Sequence, residues 1–535
     1  RPESRVFRGF LRQREAPTRG FQVNRRLRRW HGREQAKIAR RLERAQGGQE
    51  PRGDGRRPEF RGATVRYEGA DRVRAMPYGG LGMMHDLARQ VGLVAALDAG
   101  LNILKQPRPY FDSDHVLNLA YNALCGGQVL EDIEIRRNDA VFLDALGARS
   151  IPDPTTAGDY CRRFAADDVQ RLMDIVNEVR LNVWRAQPAS FLQQPARIDA
   201  DGTLVKTTGE CKQGMDISYK ADWGYHPLLV SLANTGEPLF IANRPGNRPS
   251  AEGAEHYFDR AIALCRRAGF KDILLRGDTD FSLTRHFDRW TEEGVRFVFG
   301  YDAHKTLVDR AVGIDDTHYT ELLRRADEAF ADKQRRAKPP RIKQQIVEQR
   351  GYRDIQLIAE HVAEFDYTPT RARQSVRIIA LRKETREVNK QCTFLLDRYH
   401  FYVTNDPELT PEQVVAEANQ RCNQENLIEQ LKNGPRALRA PLNTLDANWA
   451  YMVIVSLAWT LKAWFALSLP TLPRWRARHE AQRERVLRMD FRTFVQRFIL
   501  IPVQVLQTGR RLVLRLLAWR PEVPILLRLA EATGA

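Results

Sequence analysis

The sequence predicts a mixed α/β fold, and three observations carry that reading. Apolar β-like runs alternate with helical periodicity between residues 196 and 301, so strands and helices share one core there. The residues before this segment, and those after residue 410, keep apolar positions at three- and four-residue spacing. With 43% apolar and 28% charged residues over 535 positions, the chain can bury ordinary globular cores. Its length suits about three domains or one large elaborated one.

Taken in order, residues 1–75 hold 22 Lys+Arg against 9 Asp+Glu and no sustained apolar period, so no core is expected there. They read as a basic, disordered arm that either binds DNA phosphates or is a featureless extension. No apolar signal-peptide region is present in them, so none is expected. Residues 76–190 form a helical domain: Met84, Leu87 and Ala88 share a face, as do Val116, Leu117, Leu119 and Ala120. Another helix starts near Thr155 or Thr156 after Pro152 and Pro154, and one more covers 169–184. Pro195 marks a boundary.

The segment 196–301 reads as the first part of a catalytic core. Strands are expected at 197–205, 217–219, 228–232 and 238–242, then a helix from about Ala251 to a stop at Gly269. Ile273, Leu274 and Leu275 make a buried strand. Leu283, Phe287 and Trp290 line a short helix ending at Gly294, and 295–299 is the next strand. Residues 302–409 contain a charged run at 333–343 and three further β-like runs, at 355–359, 375–382 and 399–404, which makes an inserted β-rich subdomain. From 410 the chain is expected to be helical to its end, with 410–470 completing the core and 471–535 forming basic C-terminal helices. One helix is expected from an N-cap at Thr410, with Pro411 at N1 and Gln413 closing a capping box, to a stop at Gly434. Residues 449–469 are charged only at Lys462, and a central lysine costs about 2.5–3.5 kcal/mol in a lipid span. A buried core helix is therefore expected there rather than a membrane span.

The charge balance narrows function. Against 67 Asp+Glu stand 85 Lys+Arg, a net +18, which favours a polyanionic partner, nucleic acid first. Six cysteines (Cys125, Cys161, Cys211, Cys265, Cys392 and Cys422) show no C-x-x-C spacing, which argues against a disulfide scaffold or zinc ribbon and fits a reducing compartment. No phosphate-binding G-x-x-x-x-G-K-[ST] loop and no G-x-S-x-G elbow occurs. His85, His226 and His286 have no partner at metal-ligand spacing and read as structural.

Three acidic positions remain. Asp199 and Asp201 alternate with Ile198 and Ala200 and share one face of a strand. Asp278 and Asp280 follow an apolar strand. Glu425 lies with Arg421 and Lys432 at i, i+4 and i+11, on one helical face. Carboxylates brought together repel unless a cation or proton separates them, and oxygen-only ligands suit magnesium or manganese. Singly, each has an ordinary explanation: an Asp after a strand is commonly a turn residue, and a Glu beside Arg and Lys commonly lies on a solvated ion-pair face.

Together these residues resemble the DDE transposases of bacterial insertion sequences. Asp201-Gly-Thr203 is similar to their first-aspartate D-x-T motif, followed by Tyr225-His-Pro-Leu-Leu229 as the next strand. Leu275-Arg-Gly-Asp-Thr-Asp-Phe281 is similar to the second-aspartate motif. Arg421-x3-Glu425-x6-Lys432 is similar to the Y-x2-R-x3-E-x6-K signature, and the helix opening at Ala447-Asn448-Trp449 to the one after the glutamate. The likeness runs from about Leu81 to Trp519. It departs from the pattern at Ala418, where the signature has tyrosine, and at Asp280, where glycine is usual. The resemblance implies an RNase H-like core with a β-rich insertion. It also implies Asp201, Asp278 and Glu425 as catalytic ligands of two Mg2+ (or Mn2+) ions, with Arg421 and Lys432 on DNA phosphates. Only this resemblance favours Asp201 over Asp199. The implied partner is double-stranded DNA, both element ends and target, held by a homodimer in the bacterial cytoplasm beside the nucleoid, with no membrane. Recognition of terminal inverted repeats falls to the helical region before Pro195. The alternatives are a catalytically inactive, domesticated DNA-binding protein or another RNase H-like nuclease.

Overall fold

The computed structural model describes residues 36, 40, 73–106, 109–209, 211–322, 354–388, 393–508, 511–517 and 520–533. The expected arm at 1–75, apart from a few positions, and the charged run at 333–343 lie outside the described residues. The helical region opens with α1 (Leu81–Gln90), α2 (Leu93–Gly100), α3 (Asp112–Leu124), α4 (Pro154–Cys161) and α5 (Ala166–Arg185). Asp153 caps α4 by accepting from the Thr156 amide at 2.8 Å, with Pro154 at its first position.

The core follows. Strand β1 spans Ala196–Gly202, and a small excursion carries β2 (Val205–Lys206), β3 (Asp216–Ile217) and β4 (Trp223–Tyr225). Then come β5 (Leu228–Leu232), β6 (Glu237–Ala242), α6 (Ala254–Ala268), β7 (Ile273–Gly277), α7 (Phe287–Glu292) and β8 (Arg296–Tyr301). Gly269, at φ 112, ends α6 in the left-handed region that glycine alone enters cheaply. Strands β1, β5 and β6 form an antiparallel meander, while β7 and β8 run parallel to β1. The resulting order, β8-β7-β1-β5-β6, is that of an RNase H-like core.

Beyond β8 come α8 (Lys305–Val312), β9 (Thr320–Glu321), β10 (Asp354–Tyr367), β11 (Val376–Val388) and β12 (Thr393–Thr404). The inserted strands do not stand apart. β12 pairs antiparallel with β8, Val403 opposite Phe299, so β9-β10-β11-β12 extends the core sheet to nine strands among the described residues.

The expected single helix of 410–434 is two: α9 (Pro411–Gln420) and α10 (Cys422–Asn433). The Thr410 cap and its Gln413 box are present. At Arg421 the helical ladder tightens, its amide bonding to Ala418 O at 3.2 Å and its carbonyl accepting from Gln424 at 2.8 Å, both over three residues. Helix α11 (Leu445–Leu467) is buried from Ala447 to its end, as a core helix is. It packs on α3, α5 and β6, with Trp459 Nε1 donating to Gly236 O at 2.7 Å. Glu237 pins three segments together, accepting from Arg180 Nε at 3.0 Å and from the Trp184 and Trp464 indoles at 2.8 Å each.

The C-terminal region is not wholly helical, a second correction. After α12 (Arg476–Leu487), β13 (Val503–Thr508) and β14 (Arg511–Leu516) form an antiparallel hairpin before α13 (Val523–Thr533). Val503 and Val505 alternate inward and are buried, the two-residue period of a strand.

Candidate active site

Strand β1 delivers two aspartates to one face, and the structure treats them differently. Asp199 is buried and spoken for: Arg276, its register partner on parallel β7, donates to both its oxygens at 2.7 and 2.9 Å. Arg276 also donates to Glu417 of α9 at 2.9 Å, and Arg197 forks onto the same carboxylate, at 2.7 Å from Nη2. Burial alone would lower the pKa of Arg276, but Asp199 and Glu417 raise it. Against the same burial, Arg197 and Arg276 hold Glu417 below the usual carboxylate range. Four charges are closed on one another, and this cluster fastens α9 to the sheet.

Asp201, two residues on, faces the open end of the sheet. Asp278 follows the last residue of β7 and caps a short turn, its Oδ1 accepting from the Asp280 amide at 3.0 Å. The two acids thus stand at the carboxyl ends of adjacent parallel strands, where open α/β sheets form their clefts. Burial, followed by the charge of Asp278, pushes Asp201 up to about 7, with Glu425 adding to the effect and Arg421 opposing it. Burial also raises Asp278; Arg421 again opposes and Asp280 adds to the rise. Asp280, the departure noted above, therefore contributes one more negative charge.

Arg421 sits between the acids. Its Nη1 lies 3.8 Å from Asp201 Oδ2 and its Nη2 lies 3.8 Å from Glu425 Oε1, distances of ion pairs rather than hydrogen bonds. The Glu425 side chain is 61% exposed, against 15% for Asp201. Helix α10 is held over the sheet by buried Gln424, which donates to Leu229 O at 3.1 Å and pairs with Ser231 of β5. At its far end Lys432 donates to Thr203 Oγ1 at 2.6 Å and to Leu204 O at 2.9 Å, pinning the chain just after Asp201. The five residues to which the resemblance gives roles, Asp201, Asp278, Arg421, Glu425 and Lys432, thus gather around one end of β1.

The donor chemistry suits a hard divalent cation: only carboxylate oxygens, mutually repelling, with a guanidinium among them. The closure expected for a bound metal is incomplete. Among the described residues no three Asp, Glu, His or Cys side chains converge tightly enough to hold an ion. Arg421 instead supplies positive charge beside Asp201 and Glu425.

Other residues join the site without a clear sequence signal. His226, which reads as structural in the sequence, donates from Nδ1 to Arg248 O at 2.7 Å, and a Cβ on Gly202 would come within 2.8 Å of its Nε2. Its place just before β5, opposite the D-x-T segment, is the signal that could have found it. Ala418 leaves the signature tyrosine position empty, yet Tyr402 of β12 packs in the same apolar cluster and is within electrostatic reach of Arg421. Past α10, Arg436 stands at φ 58, strained for a residue with a side chain. Burial and the charges of Arg439 and Arg492 lower its pKa.

An RNase H-like sheet with aspartates at the ends of its first and fourth strands defines the class: proteins that set carboxylates on that core around one cleft. The sequence model of the family described as "Transposase DDE domain group 1" matches residues 71–533, and the chain belongs to that family. No match is found among the curated proteins. Among solved structures, a cryo-EM structure of a piggyBac transposase synaptic complex with hairpin DNA aligns with 78% of this chain and 87% of that one, at 12% identity and a TM-score of 0.33.

Proposed function

We propose that this protein is an insertion-sequence transposase that cuts DNA at the ends of its element and joins the freed 3′-hydroxyls to target DNA. The observation that carries this reading is the Asp201–Asp278 pair at adjacent strand ends, with Glu425 set beside it through Arg421. In this reading Asp201, Asp278 and Glu425 hold two Mg2+ or Mn2+ ions. Such ions would activate water or a 3′-hydroxyl and neutralise the leaving oxygen of an in-line displacement.

The chain's own residues supply the rest. Asp201 and Asp278 bring the negative charge that draws cations, and the closed Asp199–Arg276–Glu417 cluster keeps their strands and α9 in register. Arg421, with its planar fork, and Lys432, with its point charge, orient the phosphates flanking the scissile bond. The helical region before Pro195 reads the terminal repeats, and a homodimer holds two duplex ends together.

Full-length protein incubated with Mg2+ and DNA carrying the element's ends tests this. Asp201→Asn, Asp278→Asn and Glu425→Gln should each reduce nicking and strand joining below detection while DNA affinity stays within a few-fold. Cutting at the wild-type rate by any of the three removes that residue from the chemistry. If the wild type itself binds the ends and never cuts them, the inactive DNA-binding alternative stands.

A further inference from the structure

Between Asp201 and the next core strand the chain makes a detour that none of the chemistry above uses. Strands β2, β3 and β4 form a small antiparallel flap in the order β2-β4-β3. Its strand register puts Val205 opposite Tyr225 and Ile217 opposite Trp223, so these apolar side chains fall on one face. The two ends of that face differ. Val205 and Tyr225 are buried, whereas Ile217, Trp223 and the adjoining Tyr219 are 46%, 50% and 78% exposed. An apolar sheet face therefore runs off the body of the protein and is left bare at its tip.

The tip is stiff. Ser218 accepts the Ala221 amide at its carbonyl at 2.9 Å, donates its own amide to Asp222 O at 2.9 Å, and receives the Asp222 amide on its hydroxyl at 3.2 Å. Ala221 is held at φ 59, a strained conformation that it shares, among described residues other than glycine, only with Arg436. Two large rings are thus displayed on a fixed turn, at little entropic cost for a planar partner.

The flap stands beside the acids. It springs from Thr203 and Leu204, the residues that Lys432 grips. The charges of Lys206 and Lys220 act on Lys432, whose pKa burial chiefly lowers. Lys206 is paired with Asp222 at 2.8 Å, but among the described residues Lys220 has no carboxylate partner and lies 5.3 Å from the Tyr219 ring. At the flap's base Lys212 and Gln213 bond to the Ala440 and Asn443 carbonyls, tying it to the loop that carries Arg436 and Arg439. Bare aromatics are flanked by cations with phosphate-binding chemistry.

We propose that this flap is a stacking platform for unpaired bases of the DNA strand beside the acid cluster, with Tyr219 and Trp223 against the base faces and Lys220 on the adjoining phosphate. The proposal rests on the transposase reading and adds to it a place for the strand when its end is unpaired. Paired bases hide their faces in the duplex, so such a platform discriminates frayed or opened ends from intact ones.

The test uses full-length protein without divalent metal and two probes: a blunt duplex, and the same duplex with a short unpaired 3′ tail carrying 2-aminopurine. The wild type should bind the tailed probe more tightly and quench its fluorescence. The double variant Tyr219→Ala, Trp223→Ala should lose roughly ten-fold or more on the tailed probe, in line with base–aromatic stacking, and lose the quench while binding the blunt duplex as before. Trp223→Phe, combined with native Tyr219, should keep most of both. Equal losses on the two probes, or an unchanged tail affinity, overturn the platform. So does a concentration-dependent dimer that the double variant dissolves, which would give the face to a second copy of the chain. A wild type that binds the blunt duplex but shows no preference for the tail refutes the platform alone. One that binds neither probe refutes the transposase reading as well.

Discussion

Asp199 and Asp201 are two residues apart on one strand and point to the same side, and burial raises the pKa of both, yet their partners differ. At Asp199 every charge is met at hydrogen-bond distance by Arg276, which is itself shared with Glu417 and backed by Arg197. At Asp201 the Arg421 guanidinium stays 3.8 Å away, another carboxylate raises its pKa, and the side chain remains partly open. The closed cluster has nothing left to offer a ligand. The open one is a deficit of positive charge held in place by the fold, which is how metal and phosphoryl-transfer sites are built. The lesson is that compensation, rather than the mere presence of an acid on a sheet face, separates structural from functional carboxylates here.

The most forceful way to break this comparison is to open the closed side. Arg276→Met should leave Asp199 buried without its partner, forced to take up a proton or hold an uncompensated charge, and lower unfolding stability by about 3–5 kcal/mol. Urea or guanidinium unfolding of the full chain measures it. Adding Asp199→Asn in the same chain should recover part of the loss, because no buried acid is left to be neutralised. A loss under about 1 kcal/mol would mean that the cluster holds little together.

How much of this was legible beforehand follows from where the information lies. The strands at 228–232, 273–275 and 295–299 are apolar runs bounded by turn residues, a local signal, and they are strands. Asp199 and Asp201 could not be told apart from periodicity, since what separates them is Arg276, 77 residues away in sequence and adjacent only through β-pairing. The break at Arg421 was equally hidden. The residues around it continue a helical pattern, while the tertiary hold of Gln424 on β5 accompanies the tightened turn. The C-terminal hairpin does carry a local signal, the alternation at Val503 and Val505, but it is short and lies in a stretch that otherwise keeps a helical apolar period. The bare flap left no trace in composition, because exposed and buried aromatics look alike in a sequence.

The open side can be tested in the opposite direction. The Asp201 pKa of about 7 lies above the ordinary 3.8, so between those values the folded protein keeps a proton that the unfolded chain has released. The Asp201 contribution to stability without metal should therefore fall as pH rises through that window and level off above about 7. Asp201→Asn carries no such proton. It should be more stable than wild type by about 1–3 kcal/mol at pH 8 and gain progressively less as the pH drops toward 4, read from thermal melts in chelator. A variant less stable than wild type at pH 8 would contradict the charge deficit.

Lys462 asks whether any poorly compensated charge would pass for a site. It is buried in α11, donates to Leu487 O at 2.8 Å and has its Nζ 4.0 Å from the Trp459 ring centroid, with no carboxylate at ion-pair distance among the described residues. Burial brings its pKa down to about 7 from 10.5, so the folded protein sheds a proton that the unfolded chain retains, and stability should rise with pH across that interval. Lys462→Met should stabilise by about 1–2 kcal/mol at pH 7, the gain shrinking toward pH 10.5, with DNA cleavage unaffected. A variant that abolishes cleavage while remaining folded would put Lys462 in the machinery and defeat the distinction between a deficit in the core and one at a cleft.

The smallest effect belongs to the rim of the closed cluster. Arg197 forks onto Glu417 at 2.7 Å, but its side chain is 28% exposed, so water can take over part of its role. Glu417 also keeps Arg276 as a buried partner when Arg197 is removed. Arg197→Gln should therefore cost only about 0.5–1 kcal/mol, and high salt should diminish the difference from wild type, because a partly exposed pair is screened as an enclosed one is not. If Arg197→Gln proves as damaging as Arg276→Met, and salt leaves that loss unchanged, the four charges act as one inseparable unit and the boundary between closed and open ends lies further out than Arg197.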